Sequence, residues 1–166
     1  MHRRHFLGGI ATLAAAGPLA TPALAHHWTD IPYRLGVTPG LRILVAGLQA
    51  TGQFEALKAR DRRFTLFAPT DEAFRRLPAR TLNSLFEPAN RARLEAVLAY
   101  HIANGAVDSS QIVGRRVNIR MSDGNNVQAD GTRTPVLLNR SARVIAADSE
   151  GRNGIIHVID AVLMPS

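Results

Sequence analysis

Cysteine is missing from all 166 residues. Disulfides are thereby excluded, and so is a lipid-modified N-terminal cysteine. Long apolar runs are missing too. The longest, from Phe6 to about Ala16, falls short of the roughly 20 residues that a membrane-spanning helix needs. Aromatic residues make up only 5% of the chain, and they are not interleaved with the basic residues as a nucleic-acid surface would require. There is no glycine-rich phosphate loop, no G-x-S-x-G elbow and no H-E-x-x-H pair. Asp71 and Glu72 are adjacent carboxylates, but neighbours in a helix do not face one another, so they suit capping better than acid/base work. A catalytic role, including that of a metal-dependent enzyme, is thereby disfavoured. No cofactor is expected.

What is present begins with a leader. Arg3 and Arg4 form a basic head, the apolar stretch follows, and Ala23-Leu24-Ala25 is an A-x-A cleavage signal. This order is that of a secretory signal peptide over residues 1–25. The run RRHFL is similar to the twin-arginine export signal. Cleavage after Ala25 would leave 141 residues, His26 to Ser166, enough for one domain with its own core. The expected location is periplasmic or secreted. Those residues carry 18 basic and 13 acidic side chains, a net +5, and all the bases except Lys58 are arginine. The arginines are scattered, which points to a solvated, mildly cationic surface. Such a surface suits an anionic polysaccharide or a membrane surface better than nucleic acid, and the partner expected is a protein or polysaccharide at the cell surface or matrix. His26 would become the new N-terminus, followed by His27. An amino-terminal imidazole and its amine suit copper, so these two are the speculative metal ligands.

Residues 26–40 hold two prolines and two glycines without helical period, and we expect an irregular arm there. Leu41, Leu44, Val45 and Leu48 share one helical face, with Gly52 as the stop. A short helix is expected near 53–59. FTLFA (64–68) reads as a strand bounded by Pro69, with Thr70 and Asp71 opening the helix that carries Phe74. Leu82 and Leu85 suggest a short helix. Leu94, Val97, Leu98 and His101 predict another over about 90–102. After Gly105, short β-branched runs alternate with turn signals such as Asp123-Gly124 and Asn153-Gly154. The last run, GIIHVIDAVLM, is apolar on both faces and predicts a central strand. Helices first and strands later indicate an α+β fold.

Three blocks then resemble the fasciclin domain: TLFAPTDEAF (65–74), the pair Tyr100-His101, and NGIIHVIDAVLMP (153–165). They occur in the family's order, and the resemblance spans 41–166. It implies a wedge-like β-sandwich with flanking helices, and the first and last blocks as adjacent strands. Phe67, Pro69, Thr70, Asp71, Asn153, Gly154, His157 and Asp160 are the signature positions. We expect His157, Asp160, Asp71 and His101 to find hydrogen-bond partners inside the fold, because buried polar groups without them are costly. The resemblance also implies adhesion or matrix interaction. The family's Tyr-His motif and flanking aliphatics carry over as binding residues to Tyr100, His101, Leu98 and Ile102, with Tyr100 the exposed one. The alternative is a binder of an apolar small molecule such as a carotenoid.

Overall fold

Asp30 opens the first helix, accepting the amide of Tyr33 on its carboxylate. The computed structural model describes residues 29–165; the leader, His26, His27 and Ser166 lie outside the described residues. This helix, α1 (Ile31–Val37), corrects the irregular arm expected over 26–40. Proline at the first turn removes only an amide that would have no helical partner anyway. Burial of Ile31, Pro32 and Leu35 then holds the helix to the core.

Next, α2 (Arg42–Thr51) ends at Gly52, whose φ of 82° is the left-handed conformation a helix stop requires. A short α3 (Gln53–Ala56) leads to β1 (Phe64–Pro69). Three helices follow: α4 (Asp71–Arg75), α5 (Ala79–Phe86) and α6 (Arg91–Ala99), with the 3-10 turn Pro88–Asn90 before the last. The final helix stops short of the expected residue 102, because Ile102–Asn104 is used as β2 and pairs with β1. After the 3-10 turn Ser109–Gln111 come β3 (Arg116–Arg120), β4 (Asn126–Asp130), β5 (Leu137–Leu138), β6 (Ala142–Gly151) and β7 (Gly154–Ile159). The tight turn between the last two is Arg152-Asn153, one residue earlier than the turn dipeptide suggests, since Gly151 already pairs with Gly154.

The strands form one sheet in the order β2-β1-β7-β6-β5-β4-β3. A single bridge, Ala103 to Met121, brings its two ends together, so the sheet folds over on itself as a sandwich. The result is the expected α+β wedge with helices on one flank. β1 and β7 pair in parallel at its centre, Phe67 beside His157.

This central pair separates two cores. Alternate residues of β1, Phe64, Leu66 and Ala68, face the helices with Ile156, Leu44, Leu48 and Leu98. Phe67 faces the interior of the sandwich with Ile159, Val127, Ala129 and Leu138. The period-two geometry of a strand lets one short segment serve both. β7 ends at Ile159 rather than continuing to Met164, yet Val162 and Leu163 still go to opposite cores. Among the described residues no helix is long and apolar enough to cross a membrane.

Candidate functional site

The three signature blocks meet in one buried, hydrogen-bonded knot. Phe67 and His157 stack with ring centroids 5.4 Å apart. Phe67 N–H donates to the carbonyl of His101 (2.9 Å), and Leu163 N–H donates to His101 Nε2 (2.9 Å). The Tyr-His pair is thus tied to both other blocks.

Partners fix the two histidines in opposite tautomers. His101 Nδ1 lies 2.7 Å from the Val97 carbonyl and must carry the proton, leaving Nε2 to accept. His157 Nε2 lies 2.8 Å from the Val107 carbonyl and donates, while Nδ1 accepts the amide of Asp148 at 3.3 Å. Desolvation by burial lowers the pKa of His101 from 6.5 to about 4, partly opposed by the hydrogen bond to Val97. His101 is thus a neutral structural connector, and both rings are occupied from within the fold rather than offered as exposed bases.

The polar signature residues join elements distant in sequence. Thr70 caps its own helix, accepting from Ala73 N–H. Asp71 reaches across to accept Ile43 N–H at 2.8 Å, supplying the cap that Leu41 cannot give α2. Glu72 pairs with Arg75 and Arg76, so the two adjacent carboxylates work apart, as expected. Asp160 accepts from Arg143 N–H at 2.7 Å. Asn153 is 2% exposed; its oxygen takes Ile31 N–H and its amide donates to the carbonyls of Leu57 and Ala59. At Gly154 a Cβ would lie 2.0 Å from the Phe64 carbonyl oxygen, so only glycine fits there. His101, His157 and Asp71 find the expected partners within the fold, whereas the bond of Asp160 lies at the surface, which corrects the expectation of an interior partner for it.

The carried-over binding residues need correction. Leu98 and His101 are fully buried, Tyr100 is 5% exposed and Ile102 6%. Tyr100 lies in the sandwich core, donating its hydroxyl proton to the Asn126 carbonyl and accepting from Asn139. Helix-face arithmetic places it away from the apolar stripe of α6. It does so by assuming one core, whereas the chain leaves the helix at Tyr100 and turns into the second. These four residues offer no surface to a partner.

An open apolar surface lies instead on the helical flank. A groove of about 520 Å³ runs between α2 and α5, lined by Ile43, Ala46, Leu82, Asn83, Phe86, Glu87 and Pro88. Ala46 joins it to a hollow of about 400 Å³ beside α1, where Val37 is exposed. Phe86 and Pro88 join it to another of about 330 Å³ reaching Leu94. Phe86 is 36% exposed while its ring meets Phe74 edge-on at 6.4 Å, so it is fixed from beneath. None of the three signature blocks contributes to this groove. Its signal is the run ILVAGL (43–48), more apolar than one inward stripe needs. Among the described residues no cluster of three histidine or acidic side chains is placed to hold a metal ion.

The Fasciclin domain family matches residues 39–165. Protein sll1483 of Synechocystis sp. is 38% identical over 130 residues, covering 74% of this chain and 66% of that protein. Human periostin is 38% identical over 174 residues, covering 97% of this chain but 20% of its own length. Immunogenic protein MPB70 of Mycobacterium bovis is 30% identical over 162 residues, with 95% and 80% covered. The chain thus spans about two thirds of the cyanobacterial relative and a fifth of periostin. Among solved structures, a FAS1 domain pair from the insect cell adhesion molecule fasciclin I aligns with a TM-score of 0.75 at 21% identity, over 84% of this chain and 52% of that one.

Proposed function

This chain belongs to the fasciclin domain family, and from that premise we propose that it is an exported, non-catalytic binding module that engages a protein or polysaccharide at a cell surface or matrix. The observation that carries the reading is the location of its polar chemistry. The signature histidines and carboxylates are occupied with internal hydrogen bonds, while the helical flank presents a continuous apolar groove. Apolar grooves with polar rims are where binding modules make contact. The leader motif and the cell-adhesion description of the insect relative support a location in the periplasm or beyond.

The test is attachment of the purified protein to immobilised cell-surface extract. Phe86→Asp should weaken it roughly tenfold or more, because a rigid aromatic anchor is lost. The control, Arg93→Asp on the exposed face of α6, should leave it unchanged. Equal binding by wild type and Phe86→Asp, with intact thermal melts, would remove the groove from the interface.

One observation favours a second reading, the binding of an apolar small molecule such as a carotenoid. The groove volume falls within the several hundred Å³ typical of ligand pockets. Organic extraction of protein purified from its native cells, followed by a visible spectrum, separates the two. Stoichiometric pigment lost in Phe86→Asp would establish the small-molecule role.

A further inference from the structure

The folded sheet leaves a gap between its two ends. β3 pairs with β4 on one side only; on the other, contact with the β2 end is limited to the Ala103–Met121 bridge and the bond from Ser122 N–H to the Ile102 carbonyl. The hydrogen-bond phase of this edge can be read off. Met121 N–H donates to Asn125 and Gly131 N–H to Arg115, so odd-numbered residues of β3 are the ones bonded to β4. On β4, Gln128 and Asn126 turn their carbonyls the other way, to Asn139 and Tyr100. The backbone donors and acceptors of Arg116 and Asn118 therefore point into the gap, while Arg120 stands where the Ala103–Met121 bridge closes it; the side chains of all three are exposed on the outer face. A groove of about 230 Å³ runs along this edge, with Val107 and Gln111 on its far wall.

We infer that the β3 edge takes an extended acidic segment of a partner protein as an added strand, with carboxylates four residues apart facing Arg116 and Arg120. The inference rests on the reading of this chain as a binding module and names a partner class for it. Charge complementarity selects the occupant. A second copy pairing about Asn118 would set Arg116 of one edge against Arg120 of the other, twice, and like charges directly opposite are destabilising. An acidic strand replaces each of those clashes with an opposite-charge pair. Arg116 already shares Asp130 at 2.7 Å, whereas Arg120 makes no ion pair among the described residues. The arginines thus guard the edge against self-association and favour an acidic guest.

The probe is a blocked synthetic peptide, Thr-Glu-Val-Thr-Val-Glu-Thr, titrated into the purified chain and followed by amide NMR. Shifts should centre on residues 104–111 and 116–120, with the Arg116 and Asn118 amides slowed in exchange. Replacing both glutamates by glutamine, or making Arg120→Glu, should each weaken binding roughly tenfold or more. Asn118→Pro removes an outward donor without touching the β4 ladder, and it should abolish binding. If that variant fails to fold, a peptide N-methylated at the edge-facing amides serves in its place. The proposal is overturned by equal binding of the glutamine peptide, by the absence of these shifts at millimolar peptide, or by a dimer of the free chain that Arg120→Glu tightens. Failure here leaves the groove reading standing, since that is judged separately by Phe86→Asp.

Discussion

His101 is the buried group whose protonation has most to say about the fold. Its ring is enclosed, donates to Val97 and accepts from Leu163, so the native state has no place for a second proton. With its pKa lowered from 6.5 to about 4, the unfolded chain binds more protons than the folded one between those values. Stability contributed by this residue is complete above pH 6.5 and declines as pH falls toward 4. The full loss is on the order of 3 kcal/mol. Asp130 behaves differently. Hydrogen bonds from Thr132, then Arg116, lower its pKa from 3.8 to about 2, so its contribution disappears only below pH 4. The histidine window is therefore separate. Urea unfolding of wild type at pH 7 and at pH 4.5 should differ by most of that amount, and His101→Gln should flatten the difference. An unchanged slope in the variant would show that His101 is not the group responsible.

At the scale of elements, Asp71 shows how one residue joins two helices. It stands at the start of α4, yet its carboxylate caps α2 through Ile43 N–H. Asp71→Ala should cost about 1–2 kcal/mol, measured as a shift in the urea midpoint with unchanged slope. Asp71→Asn, which keeps an acceptor oxygen, should recover about half of that loss or more. Amide exchange should quicken first at residues 43–45 of α2, not within α4. Loss confined to α4 would show the cap to be local.

The same scale explains what was legible in the sequence. Helix stops, the β1 run and the twofold-apolar last strand are written in period and punctuation, because Gly52, Pro69 and alternating aliphatics act locally. The need of His157 and Asp160 for partners was legible too, from polar groups placed in an apolar strand. Which partner each takes was not, since Asp71 meets Ile43 and Asn153 meets Ile31 only after the chain has folded back. Helix α1 was hidden by reading Pro32 as a breaker when it sits where proline is tolerated. Tyr100 was misplaced because face arithmetic knows one core and the protein has two. The groove was only half legible: ILVAGL (43–48) signals surplus apolar surface on α2, but whether it stays open depends on how far α5 stands from α2.

Two cores on opposite sides of one central strand pair pose a question about the molecule as a whole: do they melt separately? β1 and β7 belong to both, with Leu66 and Ile156 in the helical core and Phe67 and Ile159 in the sandwich core. No linker divides them, and His101 and Leu163 stitch across the same pair. Damage on one side must then loosen the strands that support the other. Leu138→Ala tests this. Leu138 is fully buried deep in the sandwich core, outside the helical core, so the substitution should cost about 2–5 kcal/mol through lost burial and the cavity left behind. Helix content by far-ultraviolet circular dichroism and sandwich packing by near-ultraviolet signal should both shift by that amount and remain coincident. Native-state exchange should lower protection of α2 amides along with those of β4. If helix signal instead melts at the wild-type midpoint while the sandwich signal moves alone, the two cores are independent units and the central pair is only a boundary. Coincidence would mean that the buried knot of signature residues ties the two cores into one cooperative unit.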